Sequence, residues 1–88
     1  MNGEQTNDAE LVALRALGWA LADEKRAERF LALTGLTPEM LRSRIDDPIL
    51  PAAGIRFLAA HEPDLVACAE FLELAPARLV EARRRLEG

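Results

Sequence analysis

The sequence predicts an all-α protein, folded as a compact single-domain bundle of about six short helices. Half of its 88 residues are apolar, and most of these are leucine and alanine, with few β-branched residues. Leu, Ala, Glu and Arg favour helices, whereas strands favour Val, Ile, Thr and Tyr. Proline also recurs at positions that suit the first turn of a helix. A chain of this size buries roughly 60–65% of its unfolded surface, which is enough for one core.

The first three helices are predicted from apolar periodicity and from turn residues. The first helix runs to about Ala22, and the second covers about residues 23–33. Gly35 can adopt the left-handed conformation that closes a helix. Thr37 then caps the third helix, with Pro38 at the first helical position. In the first helix, the stripe predicted to face the core consists of Leu11, Leu14, Leu17 and Leu21.

The last three helices each begin at a proline. Asp47 and Pro48 repeat the cap-and-proline pattern for a fourth helix, which runs to about Ala60. The fifth helix opens at Pro63, and the sixth opens at Pro76 and ends near Gly88. Six helices joined by short corners follow from this punctuation.

An internal duplication is suggested by similarity at an offset of 38 residues. The segment ALGWALADE (16–24) aligns with GIRFLAAHE (54–62), and LTGLTPEML (33–41) aligns with FLELAPARL (71–79). A true duplication predicts two similar three-helix halves that share a core, although any two Leu/Ala-rich helices can resemble each other. Glu73 aligns with Gly35, so we expect the second corner to close in a different way from the first.

The chain divides into a short polar tail over residues 1–6, expected to be disordered, and one helical domain over residues 7–88. Cys68 is the only cysteine and cannot form a disulfide within the chain, which suits a reducing cytoplasm. The N-terminus lacks the basic and apolar regions of a signal peptide. No apolar run approaches the ~20 residues needed to span a bilayer. We therefore expect a cytoplasmic protein with no membrane partner.

The segment ERFLALTGLTPEMLRSRI (28–45) resembles a DNA-reading helix-turn-helix, but a plain corner between two helices explains it better. Leu31 stands where such modules usually place a small residue, and Arg44 stands at a position that normally faces the core. Glu39 and Asp46 lie on the surface of the candidate recognition helix, where DNA phosphates would repel their carboxylates. The turn is therefore better explained as a corner that lets two helices pack together.

Two arginines in the middle of the chain and four near its C-terminus carry the alternative function, which is nucleic-acid binding. The candidate residues are Arg42, Arg44, Arg78, Arg83, Arg84 and Arg85. The net charge of −4 argues against a general affinity for nucleic acids. The alternative requires these arginines to share one face without neutralising carboxylates. If these arginines instead form ion pairs on the helix surface, they are ordinary solvent-exposed residues at the end of a helix.

Catalysis, metal binding and cofactor binding are not expected. His61 is the only histidine, which is too sparse for a zinc site. Cys68 has apolar neighbours in sequence, which indicates a buried and inert thiol. No glycine-rich phosphate loop and no positioned acid–base pair is evident. We expect a protein that is not an enzyme and that needs no cofactor.

Trp19 points away from the leucine stripe of the first helix, so it lies either in a second part of the core or at an interface. Tryptophan is enriched among residues that dominate binding. We therefore expect a protein-protein interaction module with an unidentified protein partner or with itself as a homodimer. The candidate partner surface consists of Trp19, Arg78, Arg83, Arg84 and Arg85.

The segments RFLALTGLTPEMLR (29–42) and DDPILPAAGIRFLAAHEPDLVACAEFLEL (46–74) resemble a family of small alphaproteobacterial proteins catalogued as a domain of unknown function. The likeness covers roughly Leu11 to Leu86, and its most specific part is the first segment. The resemblance implies a compact, soluble, all-helical bacterial protein. It implies no catalytic or ligand-binding residues.

Overall fold

The computed structural model describes residues 2–44 and 46–88, with side chains from residue 8 onward. Within these residues the chain is a single all-α domain whose helices are α1 (Asn2–Ala22), α2 (Glu24–Thr34), α3 (Pro38–Ser43), α4 (Ile49–Ala59), α5 (Glu62–Leu72) and α6 (Pro76–Glu87). The predicted fold class is therefore confirmed. The predicted tail concerns residues whose side chains lie outside this description, and it stays a prediction.

The corners form where the sequence places them. The Thr37 side chain accepts a hydrogen bond from the Met40 backbone N–H at 3.1 Å, and Pro38 begins α3. Asp23 caps α2 in the same way, by accepting from the N–H of Arg26 at 3.0 Å. Asp47 accepts from the N–H of Ile49 at 3.0 Å, just before α4. These bonds satisfy donors that the first turn of a helix leaves unpaired.

The corner after α5 uses the same left-handed backbone as the corner after α2, although it has no glycine, and the hydrogen bonds that close the two corners differ. Gly35 ends α2 with φ 75° and ψ 9°, and Glu73 ends α5 in the same left-handed region, with φ 60° and ψ 41°. The Leu74 backbone N–H then donates to the Ala69 carbonyl at 2.9 Å, which is the bond that closes a Schellman turn. This bond holds a residue with a side chain in a conformation that normally favours glycine.

The packing is centred on α1, α4 and α6, each of which contacts the other two extensively. α5 packs against all three of these helices, and α2 packs against α1. The main core cluster draws buried residues from α1, α4, α5 and α6. A smaller cluster of Leu17, Phe30 and Leu50 joins α1, α2 and α4, and Leu36 and Leu41 pack against it. α1 thus contributes to both clusters.

The core does not divide between two three-helix halves, because α1 packs more extensively against α4 and α6 than against α2. Some positions matched by the offset of 38 do share a role. Leu17 and Ile55 are both buried, and Gly35 and Glu73 both adopt left-handed backbone. Helix lengths differ, since α1 has 21 residues and α4 has 11. The duplication stays a prediction.

The contact between α1 and α4 is close because small residues line it. A Cβ atom built on Gly54 would lie 2.9 Å from Leu17 Cδ1 and 3.4 Å from Leu17 Cα. The short distance is to the end of the Leu17 side chain, whereas the distance to the Leu17 backbone is an ordinary van der Waals contact. Glycine therefore suits the position where α4 crosses α1, because a methyl group there would displace the Leu17 side chain.

Candidate interaction surface

The prediction that Leu11, Leu14, Leu17 and Leu21 form the core-facing stripe of α1 was wrong. These leucines lie on different sides of the helix, and Leu11 and Leu14 are exposed. The buried side consists mostly of small residues: Ala9, Val12, Ala13, Ala16, Leu17 and Ala20. Leu11 is 57% exposed and Leu14 is 40% exposed, whereas Leu17 is buried. The reason is that α4 and α6 approach α1 closely, so that mostly small side chains such as alanine fit on that side of α1.

The outer face of α1 is apolar and exposed. We use this name for Leu11, Leu14, Arg15, Gly18 and Ala22, which are three, four or seven residues apart and so share one side of the helix. All five are exposed, and Arg15 is the one charged residue among them. A solvated helix normally covers this side with charged and polar residues. The outer face therefore lacks the polar cover of an ordinary surface helix.

Trp19 lies beside the outer face. One side of its ring packs against the core, and the other side contacts Arg26. The side chain is half-buried and packs against the main core cluster. The guanidinium carbon of Arg26 lies 3.7 Å from the centroid of the Trp19 ring, and Arg26 Nη2 donates a hydrogen bond to the Trp19 carbonyl at 2.9 Å. Trp19 is therefore part of the core on one side and covered by a cation on the other.

A groove of about 580 Å³ lies between α1 and α5, beside the outer face. Its lining includes Arg15, Gly18 and Trp19 of α1, and Phe71 of α5. Phe71 is 70% exposed, although it is a large aromatic residue. The sequence analysis did not identify Phe71 as an exposed residue, although the apolar spacing of α5 indicates it. The buried residues of α5 follow helical spacing at Leu65, Cys68, Ala69 and Leu72, and that spacing leaves position 71 outside.

The opposite flank of the outer face is acidic. A depression of about 130 Å³ there is lined by Glu10, Leu14, Asp46 and Asp47, with two prolines. These three carboxylates form no ion pair with any residue that the structure describes, and neither does Arg15. The outer face therefore has unpaired carboxylates along the edge next to Leu14. It has the unpaired Arg15 along the opposite edge, next to Leu11.

Three of the six arginines of the alternative function form ion pairs with described residues. Arg78 Nη2 lies 3.2 Å from a carboxylate oxygen of Asp8. Within α6, Arg83 pairs with Glu87 at 3.0 Å, and Arg85 pairs with Glu81 at 2.8 Å. Ion pairs of this kind argue against nucleic-acid binding, because neighbouring carboxylates neutralise the arginines.

The remaining arginines of that set are distributed over two regions. Arg84 is exposed on α6, and Arg42 and Arg44 lie in and just after α3. Trp19 contacts Arg26 rather than any of these arginines. The structure therefore does not join the whole predicted partner surface into one site.

A second polar cluster, missed from the sequence, links α2 to α5. Asp64 Oδ2 lies 3.0 Å from Arg29 Nη2 and 3.1 Å from His61 Nδ1. The Arg29 guanidinium carbon also lies 5.5 Å from the centroid of the Phe57 ring. Asp64 is largely covered and Arg29 is half-exposed, so the cluster ties two helices together at the surface. In the described part of the chain, no group of three or more His, Cys, Asp or Glu residues could hold a metal ion.

Cys68 lies inside the main core cluster with no measurable exposure. Burial raises the pKa of the Cys68 thiol to about 11, and the positive charge of Arg26 opposes this rise. The thiol is therefore protonated near neutral pH, which makes it a poor nucleophile.

Within the described residues we find no helix with the length and hydrophobicity that crossing a bilayer requires. A family model described as "Protein of unknown function (DUF3572)" matches residues 6–88. The chain therefore belongs to this family, which confirms the expected domain of unknown function. A search of curated proteins and a search of solved structures gave no significant match.

Proposed function

We propose that this protein is a non-enzymatic protein-protein interaction module of the bacterial cytoplasm, and that it binds through the outer face of α1 together with Phe71. The observation that carries this proposal is the exposure of Leu11, Leu14 and Phe71, at 57%, 40% and 70%. An apolar surface with polar residues around it is the usual mark of a protein interface.

Continuity of the surface supports the proposal. Gly18 and Ala22 belong to the outer face and also line the groove that holds Phe71. The outer face therefore borders the groove beside Phe71 directly, through Gly18, Ala22 and Arg15. Scattered exposed leucines are common and carry no such implication. The absence of side chain at Gly18 also permits a partner to approach the α1 backbone closely.

Order at the edge of the groove gives the surface a defined shape. Arg26 is held by the Trp19 ring and by the Trp19 carbonyl, at 3.7 Å and 2.9 Å. A side chain already fixed in place loses less conformational freedom on binding than a free one. Arginine and tryptophan are also the residue types that contribute most at interfaces.

The proposal can be tested by photo-crosslinking in living cells of the native host. A benzoylphenylalanine residue replaces Leu11 or Phe71 on the surface, and a matched control carries it at Leu33. Leu33 is 76% exposed, but it lies on α2 and outside the surface. We expect ultraviolet light to give discrete protein adducts from positions 11 and 71 and none from position 33.

Treatment with nuclease separates the two classes of partner. Adducts that keep their size after nuclease treatment contain protein and support the proposal. Adducts that shrink to the size of the free chain contain nucleic acid and would overturn it. The proposal also fails if position 33 gives the same adducts as positions 11 and 71, since contact would then be unspecific.

A further inference from the structure

We propose that the occupant of the outer face of α1 is a second copy of this chain, so that the protein forms a symmetric dimer. This inference rests on the proposed function, since it names the partner of the same surface. The argument combines the charge pattern of the surface with the requirements of two-fold symmetry.

A two-fold symmetric interface must be complementary to itself, because the same surface is presented by both subunits. The outer face meets this condition. Glu10, Asp46 and Asp47 lie on one flank of Leu14, whereas Arg15 lies beyond Leu11 on the other flank. The acidic end and the basic end are therefore separated by the apolar middle of the surface.

A two-fold axis that lies between Leu11 and Leu14, in the plane of the surface, exchanges these two ends. It brings Glu10 of one subunit towards Arg15 of the other, and it does so twice. The same operation places the exposed leucines of both subunits against each other at the centre. Polar charge at the rim around an apolar centre is the usual arrangement of interfaces.

Among the described residues, the four charged side chains on these flanks form no ion pair, and Asp47 accepts one hydrogen bond, from the N–H of Ile49. Five arginine–carboxylate ion pairs and one contact between His61 and Asp64 are made in the described part of the molecule, and none includes Glu10, Arg15, Asp46 or Asp47. Carboxylates grouped without a cation repel one another, and a cation supplied by a second subunit would relieve that repulsion. A partner with uniform charge would satisfy only one flank.

The required area also suits the molecule. A standard interface buries about 800 Å² on each partner, which is roughly a seventh of the 5587 Å² that this chain exposes. The outer face runs from Leu11 to Ala22 and is therefore about 17 Å long, so it forms the centre of such an interface and residues around it supply the remaining area.

Sedimentation equilibrium of the purified full chain tests the proposal, with charge reversals at both ends of the surface. We expect the unmodified chain to sediment as a dimer that dissociates on dilution. Arg15→Glu and Glu10→Arg should each raise the dimer dissociation constant at least tenfold. The matched controls Lys25→Glu and Glu28→Arg change the charge equally on exposed positions of α2 and should leave the constant unchanged.

Mixing the two disrupted variants gives the decisive result. In a dimer of Arg15→Glu with Glu10→Arg, each contact again joins one acidic and one basic residue. We therefore expect an equimolar mixture to recover the dimer that neither variant forms alone. Far-UV circular dichroism of each variant confirms that the helices are intact.

Three results would overturn the proposal: an unmodified chain that stays monomeric, variants that dimerise as the unmodified chain does, or a mixture that stays monomeric. These outcomes are distinguishable from failure of the proposed function. A monomeric chain whose positions 11 and 71 still crosslink to another protein keeps the interaction surface and rejects the dimer. Adducts of twice the mass of the chain support both.

Discussion

Replacing Glu73 by glycine should stabilise the protein. Glu73 ends α5 with φ 60° and ψ 41°, and its side chain is exposed and outside every ion pair of the described residues. A residue with a Cβ loses about 1–2 kcal/mol in left-handed backbone. Glycine avoids this cost but loses about 0.5–1 kcal/mol more conformational freedom on folding. The net gain for Glu73→Gly is therefore about 0.5–1 kcal/mol.

Urea unfolding followed by circular dichroism measures this gain at a fixed protein concentration. The free energy of unfolding should rise while its dependence on urea stays constant, since the folded structure is unchanged. For a chain of this size the gain corresponds to a rise in Tm of about 2–8 °C. Glu73→Ala removes the same carboxylate but keeps a Cβ, so it separates backbone relief from the loss of a negative charge at a helix C-terminus.

Gly35→Ala provides the opposite test at the corresponding corner. Gly35 has φ 75°, and a Cβ built there meets no atom within 4 Å, so any effect comes from backbone conformation alone. We expect a loss of about 1 kcal/mol. The reasoning would be refuted if Glu73→Ala stabilised the protein as much as Glu73→Gly, or if Gly35→Ala were neutral.

Three further predictions concern the core and its edge. Gly54→Ala should lower the free energy of unfolding by about 1–3 kcal/mol, because the new methyl group would meet Leu17 at 2.9 Å; urea unfolding measures this. Because the pKa of the Cys68 thiol is about 11 in the folded state and 9.0 otherwise, the unfolded chain loses this proton first as pH rises. Stability should therefore fall between about pH 9 and pH 11, and unfolding of Cys68→Ala over that range should lack this part of the slope. Arg26→Ala should uncover the ring of Trp19, shift its fluorescence emission to longer wavelength, and cost about 0.5–1 kcal/mol.

The helices and their ends were predictable because local chemistry sets them. A cap such as Thr37 acts through the backbone of residues within one turn, and Pro38 acts through its own fixed φ. Such signals need no knowledge of the rest of the fold. The fold class and the position of the corners therefore followed directly from the residues.

It was harder to predict which side of each helix is buried, because this depends on the other helices that pack against it. Leu11 and Leu17 are equally apolar, yet only Leu17 is buried, since α4 and α6 occupy the other side of α1. The alanines of α1 looked like neutral helix formers in the sequence. They turned out to mark the closest packing, because a small side chain admits a near neighbour.

The partners of charged residues could not be predicted because they come from distant parts of the chain. Arg78 pairs with Asp8 across 70 positions, and Arg29 meets Asp64 across 35. Helical spacing identifies only pairs three or four residues apart, such as Arg85 with Glu81. The groove beside Phe71 likewise required the mutual placement of α1 and α5.

The pairing of α1 with α6 has a consequence for the speed of folding. These helices make one of the most extensive contacts in the molecule, although residues 23–75 separate them along the chain. Closing so long a loop costs entropy before the contact forms, and proteins dominated by distant contacts fold more slowly than those built from neighbouring ones. We therefore expect slower folding than in a helical hairpin bundle of equal size. A chain that stops before Pro76 should lack the surface against which the alanines of α1 are ordered, and it should remain largely unfolded.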